Sequence, residues 1–183
     1  RNLGAHQNFS KHCHNSVLLT RLSRMPPIWK RLRASHGPYR SKIAAIHMMA
    51  WARALHGIPV VHLGACQFKP LRAGAVRALK ADRKGANPYL HLATTAFHTD
   101  PEAWSIMQTI RDTREMGNPD HVEPLLGLFS GSPERLPSNG PTAILVSRLT
   151  RLGWAVGGQG LVQDRLGSFS LLSISWDELV LRL

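Results

Sequence analysis

Apolar positions recur at three- and four-residue spacing through most of the chain and give way to short alternating runs near its end. Val17 to Arg24 is apolar and basic at helical spacing, and Pro26-Pro27 stops it. Pro27 fits the first turn of a second helix, Ile28 to Ser35, with Trp29 and Leu32 on one face. His36-Gly37-Pro38 is a break. Ser41 to His56 carries the strongest helical pattern. There Ile43, Ile46, Met49 or Ala50, and Arg53 recur on one face, and Met48, Trp51 and Leu55 widen its apolar side. Gly57 and Pro59 end that helix. Val60 to Leu63 reads as a short extended or turn segment. Ala65 to Ala81 is helical again, with Phe68, Leu71, Ala75, Val76 and Leu79 inward.

Gly85-Ala86-Asn87-Pro88 turns the chain into a short helix, Tyr89 to Thr95. Asp100 is placed as the N-cap of the next helix, Pro101 at its first position and Glu102 in its first turn. That helix runs to about Met116, and another is expected from Asn118 or Pro119 through Phe129. Residues 130 to 141 are rich in Pro, Gly and Ser and read as a linker. Thr142 to Leu152 is a helix stopped by Gly153. The period then changes: Trp154-Ala155-Val156, Leu161-Val162-Gln163 and Ser168 to Leu172 read as small strands of a hairpin or meander. Trp176 to Leu183 begins a last helix, cut off in mid-pattern. The expected fold is mainly α, a bundle-like N-terminal part with a small C-terminal β-hairpin or meander. The expected organisation is a disordered tail over 1–16, a basic helical region over 17–129, a linker over 130–141 and a small α+β segment over 142–183. The opening Arg1 and the interrupted last helix are the marks expected of a fragment of a longer product.

Charge changes the picture more than composition does. The net charge is +12, and it is not evenly spread. The first 84 residues hold 16 Lys or Arg and the single acid Asp82, whereas residues 85–183 hold 7 against 10 acids. Such a concentration attracts a polyanion, because each neutralised phosphate releases a counterion. A highly solvated surface, or another acidic partner, is the alternative account of the same charge. A hydrophobic fraction of 43% is enough for a core, which argues against disorder throughout. No apolar run is long enough to span a membrane, so no membrane partner is expected. Two cysteines, Cys13 and Cys66, make no disulfide framework, so an intracellular, reducing compartment is expected, nucleus and cytoplasm being undistinguished.

Candidate chemistry is weak by comparison. His12-Cys13-His14 places three ligand types in a row, but adjacent residues rarely face one ion, and no matching pair follows. His56, His62 and Cys66 lack a fourth ligand. Cys66 at a helix start, with His62 nearby, is a candidate nucleophile, but no third group to orient the base can be named. Asp112, Glu115, Asp120 and Glu123 cluster in sequence, yet a helix break separates the pairs, and solvated surface with partners Arg111 or Arg114 is the plainer account. Gly157-Gly158-Gln159-Gly160 is followed by no phosphate-loop Lys-Ser/Thr and reads as a tight turn. No metal and no cofactor is expected. What remains is basic and aromatic interleaving over residues 21 to 84. The candidate nucleic-acid-binding residues are Arg21, Arg24, Lys30, Arg31, Arg33, Lys42, Arg53, Lys69, Arg72, Arg77, Lys80, Arg83 and Lys84. Trp29 and Tyr39 lie among them, and core packing competes with base stacking for Trp29 and Trp51.

Trp51-Ala52-Arg53-Ala54-Leu55-His56-Gly57, then Leu71-Arg72-x4-Arg77-Ala78-Leu79 and Gly85-Ala86-Asn87-Pro88, resembles the region just downstream of the polymerase core in reverse-transcriptase-like proteins of non-LTR (LINE-type) retrotransposons. Ile144-Leu145-x3-Leu149-x2-Leu152-Gly153-Trp154 and Asp164-x2-Gly167 resemble later parts of such proteins. The resemblance implies a helical thumb and connecting region that grips a template–primer duplex, with Lys42, Arg53, Arg72, Arg77 and Lys80 on the backbone. It also implies a polymerase core elsewhere, as a further partner. The chain departs from the family in what matters for catalysis. No Asp-Asp occurs anywhere, and the endonuclease and Cys-His knuckle motifs are absent. The expectation is therefore a non-catalytic segment that holds RNA or DNA by its backbone. The alternatives are a helical protein-interaction domain, a remnant of such an element without activity, and a small hydrolase using Cys66 and His62.

Overall fold

The computed structural model describes residues 16–58, 63–95, 99–116, 141–157 and 160–183. The chain is mainly helical with a small antiparallel sheet near its C-terminus. It divides into two compact units, 1–105 and 106–183. The division falls inside a helix that begins at the capped Asp100. The tail over 1–15, the expected helix over 118–129 and the linker over 130–140 lie outside the described residues, as do Val60, Val61 and His62.

In the first unit, helix α1 (Ser16–Ser23) leads into α2 (Pro26–Ala34), which starts on two prolines that need no N–H partner in a first turn. Trp29 and Leu32 of α2 are buried. The stretch expected as one helix over 41–56 is broken in kind. It is α3 (Tyr39–Ala45), then a π-helical turn (Ile46–Trp51), then the single turn α4 (Ala52–Ala54). A π turn advances hydrogen bonding to the fifth residue, so the buried set becomes Ile46, Ala50, Trp51, Ala54 and Leu55. This corrects the expected inward face: Met48 and Met49 are 77% and 51% exposed, and Arg53 points outward.

Helix α5 (Ala65–Ala78) buries Phe68, Leu71, Ala75 and Val76 as its periodicity predicts, and Leu79 just beyond it is buried too. It ends three residues early. The Ala81 N–H bonds the Val76 carbonyl at 3.0 Å, and Lys80 takes a left-handed φ of 59°, the geometry of a Schellman cap with lysine where glycine is usual. Gly74 lets α2 approach closely: a Cβ there would lie 2.3 Å from the Trp29 indole nitrogen. Trp29 in turn meets Trp51 edge-on, with ring centroids 5.5 Å apart. Both tryptophans are core residues, not stacking platforms. Helix α6 (Pro88–Thr95) and the first turn of α7 (Pro101–Met116) complete this part of the chain. The Asp100 carboxylate accepts from the Glu102 and Ala103 N–H groups at 2.8 and 3.2 Å, the cap expected of it.

In the second unit, α8 (Pro141–Arg151) ends at Gly153, which takes a left-handed φ of 82°. Strands β1 (Ala155–Val156), β2 (Leu161–Asp164) and β3 (Gly167–Ser170) form the antiparallel sheet in chain order. Val162 pairs with Phe169, so both fall on the buried face. Helix α9 (Trp176–Arg182) is capped by Ser175, whose Oγ accepts from the Glu178 N–H. The core joins Ile106 and Ile110 to Leu145, Leu149, Trp154, Ile174 and Leu179.

Candidate nucleic-acid interface

Helix α2 positions three of the basic side chains, Lys30, Arg31 and Arg33. With Trp29 and Leu32 turned into the core, its other positions divide into two edges, successive residues being turned by about 100°. Lys30 and Arg33 lie on one edge, Ile28 and Arg31 on the other. Each edge borders a groove. The first, of about 480 Å³, is floored by Trp29, Leu71 and Gly74, and its cations are Lys30, Arg33 and Arg77. The second, of about 560 Å³, is walled by Met25, Pro27, Ile28 and Ala52, and carries Arg21, Arg24, Arg31, Arg53 and His56.

The second groove depends on the π turn. One residue of extra advance sends Trp51 and Ala54 inward and leaves Ala52 and Arg53 outside, against the end of α1 and the start of α2. Arg21 Nη1 donates to the His56 carbonyl at 2.9 Å and ties α1 to the chain leaving α4. Arg24, Arg31 and Arg53 are exposed, and among the described residues none of them forms an ion pair. The convergence has a sequence signal. Arg21 and Arg24 are three apart, as are Arg53 and His56, the spacing of neighbours on a helical face. His56 enters here as a lining residue, a role that its spacing from His62 and Cys66 does not suggest.

The first groove is electrostatically mixed. Arg33 bonds Asp82 at 2.6 Å and the Arg77 carbonyl at 3.3 Å. The Arg33 hydrogen bond, opposed by slight desolvation and helped by Arg77, holds the Asp82 carboxyl below the usual range. Lys42 is buried, at 6% exposure. Burial, then the charges of Lys80 and Arg33, push its pKa down from the ordinary lysine value. It is an internal cation, not a surface one.

Arg72 is also engaged internally. Its Nε donates to Asp100 at 2.5 Å and its Nη2 to Glu102 at 2.7 Å, and its guanidinium lies 5.2 Å from the Tyr89 ring centroid. Burial opposes its charge, but the two carboxylates outweigh that and raise its pKa. The structure therefore leaves Arg72 and Lys42 out of the exposed set. Lys69, Lys80, Arg83 and Lys84 are exposed around α5 and its end but line neither groove.

Other candidate chemistry does not assemble. Among the described residues no three His, Cys, Asp or Glu side chains lie together as a metal site. Cys66 is exposed and its Sγ lies 3.0 Å from Gln67 Oε1, while His12, Cys13, His14 and His62 lie outside the described residues. Glu115 pairs with Arg111 at 2.8 Å and Asp112 accepts from Gln108, as a solvated helix surface would have it, and Asp120 and Glu123 lie outside the described residues. No described helix is long and apolar enough to cross a membrane. No protein-family model, curated protein or solved structure matches this chain.

Proposed function

We propose that the first unit holds nucleic acid by its phosphate backbone, without reading sequence. The observation that carries this reading is the pair of cationic edges along α2: Arg24, Arg31 and Arg53 on one side, Lys30, Arg33 and Arg77 on the other. Exposed guanidinium forks suit phosphate oxygens, which accept two parallel N–H bonds. In this reading affinity comes from charge and counterion release. The resemblance to the thumb region of non-LTR reverse transcriptases supports the same reading, with a polymerase core as a further partner and RNA or DNA as the ligand. In this reading the unit is a grip, and no step of catalysis is assigned to it.

The test is a salt titration of binding to an RNA–DNA hybrid. Three to five neutralised phosphates predict a log–log slope of about −3 to −4.5. Substituting Arg31 and Arg53 with Gln should make the slope shallower by about 0.9 for each phosphate no longer neutralised. Affinity indifferent to salt overturns the proposal. The second reading, a helical protein-interaction domain, has one specific observation behind it: Met48 and Met49 stand exposed on the π turn. It is favoured if Met48→Ser and Met49→Ser abolish recovery of a protein partner while hybrid binding proves absent.

A further inference from the structure

We infer that the groove formed by Arg21, Arg24, Arg31 and Arg53 is a site for a phosphate monoester: the terminal phosphate of a strand, or a small phosphorylated molecule. For the strand as source, the inference rests on the nucleic-acid reading above.

The two edges of α2 differ in what anion they suit. On the Arg33 edge a carboxylate, Asp82, already sits 2.6 Å from the guanidinium. It would repel a dianion about twice as strongly as the single charge of a backbone phosphodiester at the same distance. On the Arg31 edge no carboxylate among the described residues lines the groove, and arginines from α1, α2 and α4 line one concavity. Concave convergence suits a compact charge more than an extended chain. A terminal phosphate carries about −1.5 to −2 at neutral pH and presents three acceptor oxygens, so several guanidiniums can bond it together. A phosphodiester has one charge, and its two ester links occupy directions from which the arginines would approach. Met25, Pro27, Ile28 and Ala52 give the groove an apolar wall beside its arginines. The volume of about 560 Å³ admits a nucleotide-sized group as well as a bare phosphate.

The test compares two otherwise identical, 3′-labelled oligoribonucleotides, one with a 5′-phosphate and one with a 5′-hydroxyl, by fluorescence anisotropy on the full chain. The phosphorylated strand should bind about tenfold tighter. Arg31→Gln with Arg53→Gln should abolish the difference between the two strands. These side chains are exposed, so the variant should keep its helical circular dichroism. Lys69→Gln, which lines neither groove, should leave both affinities within about twofold of the starting chain. Adenosine 5′-monophosphate should compete with the phosphorylated strand, and adenosine should not. Equal affinity of the two strands for the unsubstituted chain, with no competition by the monophosphate, overturns the site and leaves the backbone-grip reading standing. If the monophosphate binds in an Arg31- and Arg53-dependent way while neither strand binds at any salt, the monoester site stands with a small molecule as its source. That same result overturns the grip.

Discussion

Replacing Arg72 with Met separates an internal arginine from an interface arginine. The Arg72 side chain is 13% exposed and bridges Asp100, at 3%, and Glu102, at 14%. It lies against the rings of Phe68 and Tyr89, so it ties α5 to α6 and to the capped start of α7. Methionine keeps much of the stem's volume but leaves Asp100 without its cation. Removing one partner of a buried pair costs about 3–5 kcal/mol. Asp100 retains two backbone N–H donors, from Glu102 and Ala103, which places this case at the low end, about 3 kcal/mol. For a unit of this size that lowers the Tm by roughly 12 °C or more. The assay is thermal unfolding followed by tryptophan fluorescence, beside hybrid binding measured well below the transition. The expected result is a large drop in stability and an affinity within about twofold of the starting chain. An unchanged Tm with a several-fold weaker affinity would refute the argument, because Arg72 would then be reaching the ligand.

Gly74→Ala places a methyl 2.3–2.7 Å from three atoms of the Trp29 ring, so α2 must move from α5, at a cost of about 1–3 kcal/mol in urea unfolding; an unchanged midpoint contradicts the packing. Lys80→Gly relieves a left-handed non-glycine residue and should raise stability by about 1 kcal/mol, a decrease counting against the cap geometry. In the second unit, burial opposes ionisation of Asp164, but the Leu166 and Gly167 N–H groups and Arg182 outweigh it and hold its pKa below the usual value. Its contribution to stability is therefore complete above the unfolded-state value of about 3.9 and is lost as pH falls through the lower folded-state value. Asp164→Asn should flatten the acid limb of a stability–pH profile, and a limb of unchanged steepness overturns that assignment.

Most of the fold is legible in the chain because local rules and packing agree. Pro26-Pro27 starts a helix, Asp100-Pro101 caps one, Gly153 ends one, and alternation after Trp154 gives strands whose inward residues, Val162 and Phe169, face each other. The π turn is not legible. Residues 41 to 56 fit an α period well enough to hide it, and only tertiary packing decides that Trp51, and not Met48 or Met49, fills the space beside Trp29. That single extra residue also moves Arg53 from the expected inward face to the rim of a groove. The candidate site is thus half visible: which residues are basic is plain, but which neighbours each meets is not.

That difference matters because a count of charges overstates what is available to a ligand. Arginine is the residue most able to serve either purpose, since its fork can bond carbonyls and carboxylates as readily as phosphate. Arg114 donates to the Leu171 and Ile174 carbonyls and lies 5.1 Å from the Trp176 ring centroid. Arg148 is fully buried and donates to Thr109 Oγ1 at 3.2 Å. Arg182 is held by Asp164 and Glu178 over the Phe169 ring. Each of these is fixed by groups that carry no net positive charge, and none would be drawn out by a phosphate without leaving a buried acceptor empty. In the first unit the same subtraction removes Arg72 and Lys42. What is left is not a uniform coat. Part of it lines the two edges of one short helix, whose backbone is held by Trp29 against Gly74, while Lys69, Lys80, Arg83 and Lys84 lie exposed around α5 and its end. An ion-attracting surface on a support held in this way would lose little freedom on meeting a polyanion.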